Sequence, residues 1–182
     1  MHIFKFPFSM LPLLLLSIFI GRAQADQACQ LLVFNQYCLG GDIVQLASQR
    51  PEFIHQQREG ERFALIYPAG REKDYVMAYR GRIYKVLRKF EPSTSIRYRE
   101  WRDLLTKRYG LPQEQSRFPA QATGLAAKIN AIQHGEGRAL LSWNPAASAW
   151  HVELGWTGEM GLHLAYILTR QAMEQSGSGG AD

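Results

Sequence analysis

The sequence predicts an α+β domain, an antiparallel sheet of about six strands in two three-stranded meanders with helices packed on one face. Three observations carry this expectation. Residues 63–86 and 139–168 alternate apolar and polar side chains, with turn signals between the runs. A segment with helical character precedes each stretch, at 42–50 and at 95–109. The 157 residues that follow an N-terminal leader are one domain's worth of chain, enough to bury a core.

The leader is residues 1–25. Lys5 sits in a weakly positive start, residues 10–20 (MLPLLLLSIFI) are apolar, Gly21 breaks the run, and Ala23-Gln24-Ala25 offers small residues for cleavage. This layout reads as a secretory signal peptide. The run is shorter than the roughly 20 residues a membrane span needs; an uncleaved anchor is the alternative. A periplasmic or secreted protein follows, with no integral membrane span after processing. A single domain is expected over 26–173 and a disordered tail over 174–182, where Ser, Gly and Ala leave nothing to bury. The leader holds Lys5 and Arg22 but no acid, so removing it lowers the net charge from +5 to +3.

Cys29 and Cys38 form an even pair in an exported chain, which suggests a disulfide. Nine residues of continuous helix would hold their Cα atoms about 13 Å apart, beyond the roughly 4.4–6.8 Å that a disulfide tolerates. Bonding therefore requires the chain to turn back, near Asn35; two buried free thiols are the alternative.

Asp42 is a candidate N-cap for a short helix carrying Ile43, Val44 and Leu46, which Pro51 ends. The polar stretch Gln56-Gln57-Arg58-Glu59-Gly60 reads as a connection. Phe63, Leu65 and Tyr67 then share one strand face, Tyr75, Met77 and Tyr79 a second, and Tyr84 and Val86 a third. Pairing Leu65 with Met77, Met77 with Tyr84 and Tyr75 with Val86 keeps these apolar faces together. The other side of the third strand reads Ile83, Lys85, Leu87, Lys89.

Residues 95–109 make the best helix. Ser93, Thr94 and Ser95 are candidate caps, and Ile96, Trp101, Leu104, Leu105 and Tyr109 mark a stripe. Lys107 and Arg108 suit the C-terminal dipole, Gly110 closes the helix, and Pro112 prevents its continuation. Residues 124–132 fit either a helix or a strand. In the second meander, Ala139, Leu141 and Trp143 share a face, as do Trp150, Val152 and Leu154, and Leu162, Leu164, Tyr166 and Leu168. A Gly-rich turn is expected over 155–161. Pairing Val152 with Leu164 and Leu141 with Val152 again aligns the apolar sides.

The path from Leu39-Gly40-Gly41 through Arg82-Ile83-Tyr84-Lys85-Val86 to Leu104-Leu105-Thr106-Lys107-Arg108-Tyr109-Gly110-Leu111-Pro112 resembles small uncharacterised exported proteins of Gram-negative bacteria. Their αβββ organisation is similar to that of β-lactamase-inhibitor-like domains. The resemblance spans about half of the processed chain and implies a fold; it carries no functional residue and no cofactor.

Charge is uneven. Residues 71–108 hold twelve Lys/Arg against five Asp/Glu. A solvated sheet face and helix back account for this blandly. The sharper reading is a surface for an anionic envelope polymer or a protein partner, built from Arg80, Arg82, Lys85, Lys89, Arg97, Arg99 and Arg102. Nucleic acid is disfavoured for an exported chain, and a strongly cationic enzyme would be repelled. Trp156, in the Gly-rich turn, is a candidate exposed contact residue.

Catalytic signals are sparse. There is no Gly-x-Ser-x-Gly elbow and no phosphate loop, and bonded cysteines supply no thiolate. His151, Glu153 and His163 are ligand types that suit zinc, with Glu153 placed opposite His163 by the pairing above. Alternation alone would also put three polar residues on that outward face. The expectation is a non-enzymatic binding protein of the cell envelope; the alternatives are a small metal-dependent hydrolase and an assembly factor pairing through a sheet edge.

Overall fold

Cys29 and Cys38 are disulfide-bonded across a hairpin at the start of the described chain, residues 29–174 of the computed structural model. Strands β1 (Leu31–Val33) and β2 (Tyr37–Leu39) form this hairpin. Phe34 and Asn35 take φ of 50° and 56°, and the Gln36 N–H donates to the Val33 carbonyl at 3.0 Å. The reversal falls where bonding requires it and brings the two Cα atoms to 5.3 Å. The leader at 1–25 lies outside the described residues, as does the tail beyond Glu174.

Helix α1 (Ile43–Gln49) starts at Asp42, whose Oδ1 accepts from the N–H groups of Val44 and Gln45 at 2.6 and 2.9 Å. Ile43 and Leu46 enter the core, and the helix stops at Arg50, before Pro51. Helix α2 (Ser95–Tyr109) is capped by Thr94 Oγ1, which accepts from the Arg97 N–H at 3.2 Å. Gly110, at φ 87°, closes it. Its buried stripe differs from the expected one. At about 100° per residue, Tyr98, Trp101, Leu105 and Tyr109 fall on one arc, and these pack on the core. Ile96 and Leu104 lie off that arc and are exposed. Residues 124–132 are helical, within α3 (Gly124–Gln133), and α4 (Arg170–Glu174) follows the sheet, carrying regular structure one residue past the expected domain end.

The main sheet has eight antiparallel strands rather than about six, in the order β3-β4-β5-β6-β10-β9-β8-β7. These are β3 (His55–Glu59), β4 (Arg62–Ala69), β5 (Glu72–Tyr79), β6 (Arg82–Lys89), β7 (Gln113–Glu114), β8 (Ala139–Trp143), β9 (Trp150–Thr157) and β10 (Gly161–Leu168). Both unanticipated strands, β3 and β7, are edge strands with exposed, polar side chains, so no apolar alternation betrays them. Each half of the chain contributes a four-strand meander, and the last strands of the two meet at the centre. The strand order reads the same from either end. Leu65 and Tyr67 on β4 match Leu141 and Trp143 on β8, each pair on the third strand out from the β6–β10 junction.

Register in the first meander also departs from expectation. Leu65 pairs with Val76, Val76 with Val86, and Met77 with Lys85. A bulge between Met77 and Ala78 then sets Ile83 opposite Ala78, which buries Ile83. Tyr75 and Met77 thus face away from the core. In the second meander the expected faces hold, but pairing slips by two, Leu154 with Leu164 and Leu141 with Leu154, because β9 continues through Trp156.

Every helix among the described residues packs on one side of the sheet. Ile43, Leu46, Leu105 and Ile132 join Leu65, Tyr67, Val76, Val86, Leu141, Trp143, Val152, Leu154 and Leu164 in one core. Within it Asp74, fully buried, receives two 2.7 Å bonds from Arg88. No helix among the described residues is long and apolar enough to cross a membrane.

Candidate functional site: the open face of the sheet

The side of the sheet opposite the helices is built by the other half of each strand. Register aligns Ile66, Tyr75, Leu87, Ala165, Glu153 and Ser142 in one row across six strands. On one side runs a row of Ala64, Met77, Lys85, Ile167 and His151. On the other run Pro68, Lys73, Lys89, His163 and Gly155. The result is an apolar stripe over β4, β5, β6 and β10 with lysines on both flanks.

Burial on this face is unusual for a solvated side. Leu87 is 2% exposed and Ala165 0%, yet neither belongs to the main core. Ile66, Tyr75, Met77 and Ile167 are half-buried around them. The charge of Lys85 acts on both Glu153 and His163, two strands and one strand away.

Lys85, His151, Glu153 and His163 lie on this face in the rows around Ala165. His151 Nε2 stands 3.4 Å from Glu153 Oε1. That bond, with the charges of Lys85, His151 and His163, holds the Glu153 carboxyl below the usual carboxylate range against the opposing effect of burial. Burial pushes the His163 imidazole down, and Lys85 adds to this. His163 Nδ1 donates to the Gly161 carbonyl at 3.0 Å, so the neutral ring carries no proton on Nε2. That edge rests on Gly155, where an added Cβ would come within 2.6 Å of His163 Cε1.

This geometry corrects the metal expectation. Gly155, not Glu153, pairs with His163, and Glu153 pairs with Ala165. His151, Glu153 and His163 share a face but do not converge, and among the described residues no group of three or more His, Cys, Asp or Glu side chains can hold a metal ion. Trp156 is also corrected. It lies within β9, is buried, and packs 6.0 Å from Tyr98, because the turn is confined to residues 158–160.

The basic surface separates into two layers. Arg82, Lys85 and Lys89 sit on the open face, whereas Arg97, Arg99 and Arg102 belong to α2 in the other layer, and Arg80 occupies the β5–β6 turn. Several of these cations are already matched: Arg80 with Glu61 at 2.8 Å, Lys89 with Glu91 at 3.3 Å, Arg97 with Glu72 at 3.2 Å and Arg102 with Asp103 at 2.8 Å. Among the described residues no carboxylate lies within ion-pair distance of Lys73, Arg82 or Lys85. Arg82 is the most conspicuous. Its Nε is buried without a hydrogen-bond partner, and burial alone pushes its guanidinium pKa down.

Ile66, Tyr75, Leu87, Ala165 and Lys73 were not anticipated as a site. The signal for them is the central strand itself, because Leu162 to Leu168 is apolar on both faces save for His163. A near-continuous apolar run marks a strand shielded from water on two sides.

Comparison with known proteins adds little to this geometry. No family model and no curated protein matches the chain. A solved structure, a cysteine-rich secretory protein from Staphylococcus aureus, is similar at a TM-score of 0.39 and 10% identity, over 72% of this chain and 44% of that one. The chain thus spans less than half the length of that structure.

Proposed function

We propose that this chain is an exported, non-enzymatic binding protein of the cell envelope, and that it engages its partner through the open face of the sheet. One observation carries the reading. The central strand has the composition of a doubly covered strand, but among the described residues the helices cover only one of its sides. The disulfide is compatible with an oxidising compartment. Free cations gathered on the open side give the surface a sign, so the partner presents anionic groups there.

The test is a photo-crosslinking residue placed at Met77, on the open face, or at Leu104, on the exposed side of α2, in protein made by intact cells. Discrete adducts from Met77 and none from Leu104 are expected. Equal patterns from the two positions would remove the open face from consideration. Pairing through the edge strand β3, whose five residues are all exposed, supports a second reading as an assembly factor. Adducts from Gln57 but not from Met77 would favour it.

A further inference from the structure

Resting on that reading, we infer that the open face takes a polypeptide segment in which apolar residues are flanked by carboxylates, rather than a polyanion or a lipid-like molecule. The face has the anatomy of a protein interface, with an apolar centre depleted of charge and a polar rim. The accessible centre is Ile66, Tyr75, Met77 and Ile167, set around the buried Leu87 and Ala165. The rim comprises the lysines, His151 and Glu153.

Dimensions agree with this occupant. Strands about 4.8 Å apart make the apolar stripe roughly 14 Å long, and four residues of strand separate Lys85 from Lys89 by about 14 Å. A helix about 10–12 Å across fits between those lysines. Across eight strands the face extends roughly 34 Å, so a band about 14 Å wide covers about 480 Å², smaller than the ~800 Å² per partner of a standard interface and suited to a short segment rather than a whole domain.

Chemistry excludes the other occupants. A polyanion gains from a continuous track of free cations, but here Lys73, Arg82 and Lys85 surround an apolar stripe that a polyanion would desolvate without return. A second copy of this chain would bring lysines against lysines. A lipid surface calls for protruding apolar side chains. The large exposed ones lie largely elsewhere, at Leu32, Val44, Ile54, Ile96, Leu104, Leu111 and Leu125, and Tyr79 alone projects at the far end of the open face. Three unpaired cations on the face then require carboxylates from the partner. Arg82, whose guanidinium has no carboxylate partner among the described residues, adds a further donor group for one of them.

The experiment is panning of a displayed library of random twelve-residue peptides on the oxidised protein. Enriched sequences should combine Asp or Glu with Leu, Ile or Phe, and a synthetic consensus peptide should shift the amide resonances of Tyr75, Leu87 and Ala165. The double variant Lys73→Glu/Lys85→Glu should bind that peptide roughly tenfold more weakly or worse, whereas Arg99→Glu, a charge reversal in the helical layer, should bind as the parent does. Equal affinity in both variants, enriched peptides without acids, or no enrichment would each overturn the inference. So would dodecanoate or heparin moving those amides where no peptide does. If Met77 still crosslinks in cells under any of these results, the binding reading survives and only the partner's class is wrong.

Discussion

Asp74 is the residue on which the first meander turns. It is fully buried, and Arg88, mostly buried beside it, is held by both carboxylate oxygens while its guanidinium lies 4.0 Å from the Phe34 ring centroid. Asp74→Ala strands that cation in the core and should lower stability by about 3–5 kcal/mol, read as a fall in the urea midpoint. The same pair explains the misassigned register. On β5 the buried side reads Asp74, Val76, Ala78 and the open side Tyr75, Met77, Tyr79, so apolar content alone points to the wrong face. A charged residue in a core is legible only once its partner is known, and Arg88 lies fourteen positions away. Gly155 makes a second residue-level test. Gly155→Ala drives a Cβ into the His163 ring and should cost about 1–3 kcal/mol; adding His163→Ala should recover part of that loss in thermal unfolding. His163 also sets a pH dependence. Its folded-state pKa is depressed, so the unfolded chain binds the proton first. Its contribution is complete above the ordinary imidazole value near 6.5 and is lost as pH falls below it. Melting temperature should therefore drop between pH 7 and 5, and His163→Gln should flatten that drop.

Among the elements, those defined by local chemistry were legible. Asp42 and Thr94 cap their helices, Pro51 and Gly110 end them, and the reversal between the cysteines falls at Phe34 and Asn35. Asp42→Ala should cost about 1 kcal/mol, since two α1 N–H groups lose their acceptor. Replacing both cysteines by Ser frees a loop of about ten residues and should cost about 2–3 kcal/mol by chemical denaturation. Helix α2 separates stripe from surface. Leu105→Ala should cost about 2–5 kcal/mol by opening a cavity, whereas Leu104→Ala should stay within about 0.5 kcal/mol. The elements that escaped detection, β3 and β7, exist because a neighbouring strand offers hydrogen bonds to them. Their own side chains bury nothing, so no pattern in residues 55–59 or 113–114 marks them.

At the scale of the whole molecule, the sheet joins two four-strand meanders end to end, and its most apolar strand lies at the junction. One side of that strand is satisfied by the helices. On the other, Leu87 and Ala165 are buried, with Ile66, Tyr75, Met77 and Ile167 half-buried around them. Sequence reasoning reached the α+β class, the faces of the second meander and the basic character of β6. It could not separate cations already matched within the fold from those left free, because Glu61, Glu72 and Glu91 find their partners only through strand and turn geometry. Nor could it show that Arg97, Arg99 and Arg102 lie across the sheet from Lys85. The most direct measurement of the open face is hydroxyl-radical labelling of Met77 and Tyr75, in intact cells and in purified protein. With a partner seated there, both should be labelled less in cells while Tyr109 and Met173, on the helical side, are labelled equally. Identical labelling of Met77 and Tyr75 in the two settings would contradict a docking role for this face.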